Sequence, residues 1–171
     1  MRRIVFVLVL VTVLALPFCV SAQHDNPTSI PHEFLGTWKL VSYVREAIPS
    51  GAQSDVMGPH PQGYINYGLD GRMIVMIVGS NRTKPAASVA TPTEAAALLK
   101  SMLAYAGTFA VDTNAKTVTH HVEISWDESR TGTDQVRRFT LEGNTLKLTT
   151  DPSPDPATGE KTIRKLIWAK N

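Results

Sequence analysis

The chain has 171 residues, with 17 Lys and Arg against 15 Asp and Glu and a single cysteine, Cys19. The basic excess is only two, and no Lys/Arg cluster interleaved with aromatic residues is present, which argues against nucleic acid as a partner. One cysteine cannot make a disulfide within the chain, so the folded part must be held by its core.

Arg2 and Arg3 precede an apolar run from Ile4 to Phe18 that ends in the small-residue stretch "CVSAQ". Charged, apolar and small-residue parts in that order predict a secretory signal peptide over residues 1–22, cut after Ala22, and hence a secreted or periplasmic location. A membrane anchor would need roughly 20 apolar residues, more than this run offers. Lipidation at Cys19 would call for small residues where Pro17 and Phe18 stand. Cleavage removes two arginines and no acid, which leaves 15 basic and 15 acidic residues, no cysteine and no predicted membrane contact. Residues 23–32, with Pro27 and Pro31, read as a flexible leader to a single domain over 33–170.

From there the dominant period is two. "TWKLVSYV" sets Trp38, Leu40 and Ser42 against Lys39, Val41 and Tyr43, a strand signal. "GYINYGLDGRMIVMIVG" divides at Asp70-Gly71 into strands near 62–68 and 72–79, because Asp-Gly between apolar runs favours the positive-φ turn of a hairpin. "TPTEAAALLKSMLAYAG" breaks the period. Thr91 or Thr93 can cap it, Pro92 suits a first turn, and Glu94 favours the positive end of a helix dipole. A helix is expected near 92–104, its stripe of Leu98, Leu99, Met102 and Tyr105 packed on the sheet. The period of two then returns near 105–112, 116–126, 133–142, 144–150 and 161–170, with turns at Asn114-Ala115, Glu142-Gly143-Asn144 and "DPSPDPATGE".

Eight strands with mostly short connections predict an all-β fold, an antiparallel up-and-down barrel with one helix. Closure removes exposed edges and leaves room for one small ligand. A two-sheet sandwich fits the same pattern.

Gly36-Thr37-Trp38 heads the first of these strands. With "PQGYINYGLDGRMIVMI", "YAGTFAVD", "VTHHVEIS" and "GTDQVRRFTLEGNTLKLTT" following in order, the chain resembles the lipocalin-like domain family, calycin-type barrels with a Gly-x-Trp signature, from about Phe34 to Trp168. The resemblance implies a barrel whose signature tryptophan packs across the closed end under a basic residue of the last strand. Trp38 would be that plug, Gly36 would allow the close turn, and Arg164, in phase with Leu166 and Trp168, is the candidate partner. Relatives of this architecture include carriers of apolar molecules as well as cyclases and isomerases, so fold does not choose between binding and catalysis.

Neighbouring residues of a strand face opposite ways, so only one of His120 and His121 can enter the barrel. Val118, Val122, Ile124 and Trp126 share the His120 face, which makes His120 the inward candidate and leaves His121 outside with Thr119, Glu123 and Ser125. On the next strand Arg137 falls in with Phe139 and Leu141. His120 and Arg137 are candidate polar contacts for a ligand, and candidate catalytic groups if there is chemistry. Tyr64, Tyr67, Met73, Val75, Ile77, Tyr105, Phe109, Val122 and Phe139 are candidates to line the same space. Arg72 reads as an exposed hairpin residue, and Asn81 opens an Asn-Arg-Thr sequon.

Nucleophile elbow, phosphate loop, dinucleotide turn and metal-ligand spacing are all missing, so no cofactor or metal is implied. The expected function is binding of a small, largely apolar or amphipathic molecule in the barrel. A cyclase or isomerase using the same cavity is the alternative, and a packed barrel serving as an interaction module is the second.

Overall fold

Alternating apolar and polar residues make strands with one buried face, and short turns let each pair with the next. The computed structural model describes residues 30–170. The expected signal peptide and residues 23–29 of the leader lie outside that range. The strands are β1 (Gly36–Ala47), β2 (Gln53–Asp55), β3 (Gln62–Tyr67), β4 (Arg72–Val78), β5 (Met102–Asp112), β6 (Thr117–Ser125), β7 (Asp134–Glu142), β8 (Thr145–Thr149), β9 (Ser153–Pro154) and β10 (Lys161–Lys170). One α-helix, α1 (Pro92–Lys100), and two short 3-10 turns, His32–Phe34 and Glu128–Arg130, complete the described residues.

The principal strands pair in the order β1-β3-β4-β5-β6-β7-β8-β10, and β10 returns to β1, so the sheet closes. This is the expected eight-stranded antiparallel barrel; a sandwich would have left two open sheets. Strands β2 and β9 are short additions to β1 and β10. The Asp70-Gly71 turn joins β3 to β4 as its composition requires, with Gly71 at φ +78° and the Gly68 amide bonded to the Arg72 carbonyl at 2.7 Å.

Two bulges alter the inward set that strict alternation gives. In β1 the pairing with β10 skips Val41, so Trp38 and Leu40 face in but the next inward residue is Tyr43, not Ser42. In β6 the extra residue is Glu123, where pairing with β5 passes from Gly107↔Val122 to Ala106↔Ile124. Ile124, expected inside, is therefore outside and 68% exposed, and Ser125 takes the inward phase opposite Tyr105. Gly107 makes this bulge possible, since a Cβ there would land on the His121 carbonyl oxygen. Gly107→Ala is expected to destabilise the barrel by about 1–3 kcal/mol or more, measured by urea unfolding; an unchanged midpoint would show that the bulge tolerates a side chain.

The helix is shorter than predicted. It begins as expected, with Thr91 and Glu94 forming a reciprocal capping box and Pro92 at its first position. It stops at Lys100 because Met102 already pairs with Val78, and Met102 to Tyr105 belong to β5. Leu99 is half exposed and no helical residue is buried, so the expected packing of a helical stripe on the sheet is not present.

One end of the barrel is sealed. Trp38 is fully buried and its Nε1–H donates to the Phe34 carbonyl at 2.9 Å, which ties the plug to the 3-10 turn before β1. The basic residue over its ring is Lys170, with Nζ 5.1 Å from the centroid, and not Arg164. Register decides this: Trp38 lies opposite Lys170, while Arg164 lies opposite Arg45 at the other end of the same strand pair. Lys170 Nζ also donates to the Glu33 carbonyl at 2.9 Å.

Candidate functional site

Above the plug, aromatic rings fill the lower half of the interior. Phe34 meets Tyr67 and Phe139 edge-on at 4.9 and 5.1 Å between centroids, and Tyr67 meets Phe109 at 4.7 Å. Tyr67, Met73, Phe109, Val122 and Phe139, all expected around a ligand, are buried in this packing, and none of them lines the chamber in the other half of the barrel. Tyr64 is on the outer surface and 51% exposed, because pairing of Ile65 with Val75 and of Tyr67 with Met73 gives the inward phase to the odd positions of β3.

The upper half is hollow. A chamber of about 340 Å³ opens at the end opposite Trp38. Its walls include Tyr43, Ile65, Val75, Ile77, Leu103, Tyr105, Leu148, Leu166 and Trp168; His120 lies on its floor, and Arg130, Arg137 and Arg164 stand at its mouth. A wider groove of about 580 Å³ lies at the sealed end, bounded by Pro31, Phe34, Lys116 and the β7 residues Phe139 to Glu142, and none of its lining residues is a buried polar group that could recognise a ligand.

His120 is 1% exposed and engaged on both ring nitrogens: Tyr67 Oη is 2.8 Å from Nε2 and Tyr105 Oη is 2.8 Å from Nδ1. Burial, with added repulsion from Arg137 and His121, pushes its pKa down to about 3, so the ring is neutral at any ordinary pH. Burial raises both tyrosines above their usual values, so they keep their protons. His121, one residue on, points outward and bonds Asp134 at 2.6 Å.

Arg137 extends inward from β7, where its Nη1 donates to the Val136 carbonyl at 2.8 Å and its Nη2 to Gln135 Oε1 at 3.2 Å. Arg130 shares that amide oxygen at 3.4 Å and also sits 3.4 Å from the Asp127 carboxylate. The other acids at the mouth are held outside, Asp134 by His121 and Asp151 by Arg138 at 3.0 Å. Arg45 opposite Arg164 is neutralised by buried Asp155. Among the described residues, Arg137 and Arg164 have no carboxylate partner.

Of the residues singled out from sequence, His120, Arg137, Val75, Ile77 and Tyr105 meet around the chamber. Arg164 joins them, having been assigned to the plug. Sequence reading missed Tyr43, hidden by the Val41 bulge, and Arg130, which reaches the mouth from a 3-10 turn with no periodicity to betray it. It also missed Leu103, which the longer predicted helix had absorbed.

A closed meander of eight strands, sealed by an indole at one end and hollow at the other, defines a barrel of the ligand-binding kind. The chain belongs to the lipocalin-like domain family, whose profile matches residues 35–171. No curated protein matches the chain.

Proposed function

We propose that the protein is an exported carrier that holds a small amphipathic molecule in the upper barrel, apolar body inward and anionic or strongly polar end at the mouth. The observation that carries this reading is a chamber of about 340 Å³, with apolar side chains such as Ile65, Val75, Ile77, Leu148 and Leu166 in its wall and a polar rim, that is also lined by Arg137 and Arg164, two guanidiniums without a carboxylate partner among the described residues. The volume falls at the small end of the range for ligand pockets, and a few polar groups around apolar walls are the usual means of fixing orientation. Guanidiniums favour carboxylate, sulfonate or phosphate oxygens because each can donate two parallel hydrogen bonds. Export rests on the charged and apolar start of the chain.

The cyclase or isomerase alternative needs a group that can take a proton from a bound molecule. His120 is poorly suited to it: burial holds its pKa down to about 3, which makes it a weak base, and each of its nitrogens is occupied by a tyrosine.

The test is a fluorescence titration of the cleaved protein with the anionic probe anilinonaphthalene sulfonate and the neutral probe phenylnaphthylamine. Both are expected to bind. Replacing Arg137 and Arg164 together by Ala is expected to weaken the sulfonate about tenfold, the loss of one charge-assisted contact, and to leave the neutral probe within about twofold. Failure of both probes to bind the wild-type protein would overturn the carrier reading, and equal loss of both in the variant would overturn the role of the arginines.

A further inference from the structure

A hydrogen-bond count around His120 fixes where its proton sits. A neutral imidazole has one N–H and one bare nitrogen, so of the two tyrosines one must donate to the ring and the other must accept from it. The accepting tyrosine then keeps a hydroxyl proton with nowhere to go.

The two tyrosines differ in surroundings. Tyr67 is 1% exposed, ringed by Phe34 and Phe109, and among the described residues His120 is the only hydrogen-bond partner of its hydroxyl. A spare proton there would face aromatic carbon. Tyr105 walls the chamber, and among the described residues His120 is likewise the only partner of its hydroxyl. A spare proton there can reach a guest. A buried donor without an acceptor is costly, so the arrangement that strands none in the core wins: Tyr67 donates to Nε2, Nδ1–H donates to Tyr105, and the Tyr105 O–H is left free. Trp168 forms part of the same wall, and its Nε1–H is buried without an acceptor among the described residues. With Arg137 also in the lining, donors from three side chains meet around the chamber.

We infer that the chamber contains a subsite for a carbonyl oxygen, built on the Tyr105 hydroxyl and oriented by the Tyr67–His120 pair. The inference rests on the carrier reading and deepens it: the guest has an oxygen acceptor within its apolar body as well as a polar end at the mouth. Tyr105 is the contacting residue; His120 and Tyr67 are positioning residues, acting through it.

Two measurements test this. Nitrogen NMR of labelled wild-type protein, with His120 assigned by its absence from the His120→Gln spectrum, is expected to show Nδ1 protonated and Nε2 bare. The opposite tautomer would overturn the subsite whether or not any ligand binds. The second is titration with the naphthyl ketone prodan and with its ketone-free parent, dimethylaminonaphthalene. Tyr105→Phe is expected to weaken prodan about fivefold, the worth of one neutral hydrogen bond, with a blue shift of bound emission as the carbonyl loses its donor. The parent compound should bind both proteins equally. If prodan binds both proteins alike, the subsite falls and the carrier reading stands; if neither compound binds the wild type, both fall.

Discussion

Lowering the pH from about 6.5 to about 4.5 is expected to cost the barrel about 1.4 kcal/mol of stability per pH unit through His120 alone. In the unfolded chain the imidazole titrates near its ordinary value of 6.5; in the barrel it is held down to about 3. The folded value is the lower one, so between the two the unfolded state binds one more proton. The contribution is fully present above pH 6.5 and is lost as pH falls, reaching on the order of 5 kcal/mol near pH 3. Arg137 faces the ring from β7 and His121 follows it on β6, and both oppose its charging; the tyrosines at its nitrogens are uncharged. Below about pH 4.5 the paired carboxylates Asp155, Asp127 and Glu46, all held below their usual range, add their own losses. Urea unfolding at half-unit pH intervals checks the slope. His120→Gln should begin about 1–3 kcal/mol less stable at neutral pH, with two tyrosine bonds disturbed. It should then run nearly flat from pH 6.5 to 4.5. A variant as steep as the wild type would mean that the acid sensitivity lies elsewhere.

Trp38→Ala is expected to destabilise the barrel by about 3–5 kcal/mol, the range for deleting a large buried aromatic. Three losses combine at this site: a fully buried indole, its bond to the Phe34 carbonyl and the face on which Lys170 rests. Phe34 is itself fully buried against Tyr67 and Phe139, so the cavity left by the tryptophan would loosen the aromatic floor as well. Lys170→Met separates the contributions. It keeps apolar cover over the ring and removes only the charge and the bond to Glu33, so it should cost no more than about 1 kcal/mol. The variants are compared by urea unfolding midpoints; a Trp38→Ala cost below about 1 kcal/mol would mean that the indole only covers the end without holding it.

The barrel itself was legible because its signals are local and periodic. Asp70-Gly71 announces a hairpin, and Val118, His120 and Val122 announce one face of a strand. Where the reading failed, one inserted residue had changed the phase: Val41 hid Tyr43, and Glu123 sent Ile124 outside. Nothing in a single strand marks a bulge, since its cause lies across the ladder, as with Gly107 against the His121 carbonyl. The helix was overextended because "SMLAY" keeps helical spacing, and only pairing of Met102 with Val78 shows which structure prevails. Arg164 was matched to Trp38 by resemblance and by its phase with Leu166 and Trp168; register gave that place to Lys170. For the site, alternation found His120 and Arg137, but the filled lower half and hollow upper half follow from side-chain volumes meeting across the barrel, which no one strand records.

The ladder that closes the barrel joins its first principal strand to its last, from Trp38↔Lys170 to Ala47↔Thr162. Contacts so distant along the chain carry the largest loop-closure entropy and form late. During synthesis, the hairpins from β3 to β8 can pair as they emerge, but β1 has no partner on its other edge until β10 appears. Until then the sheet is a curved ribbon with two free edges, its apolar face open to other chains. Assembly is therefore gated by the final ten residues of the barrel, and a chain halted before them would be a candidate for edge-to-edge aggregation.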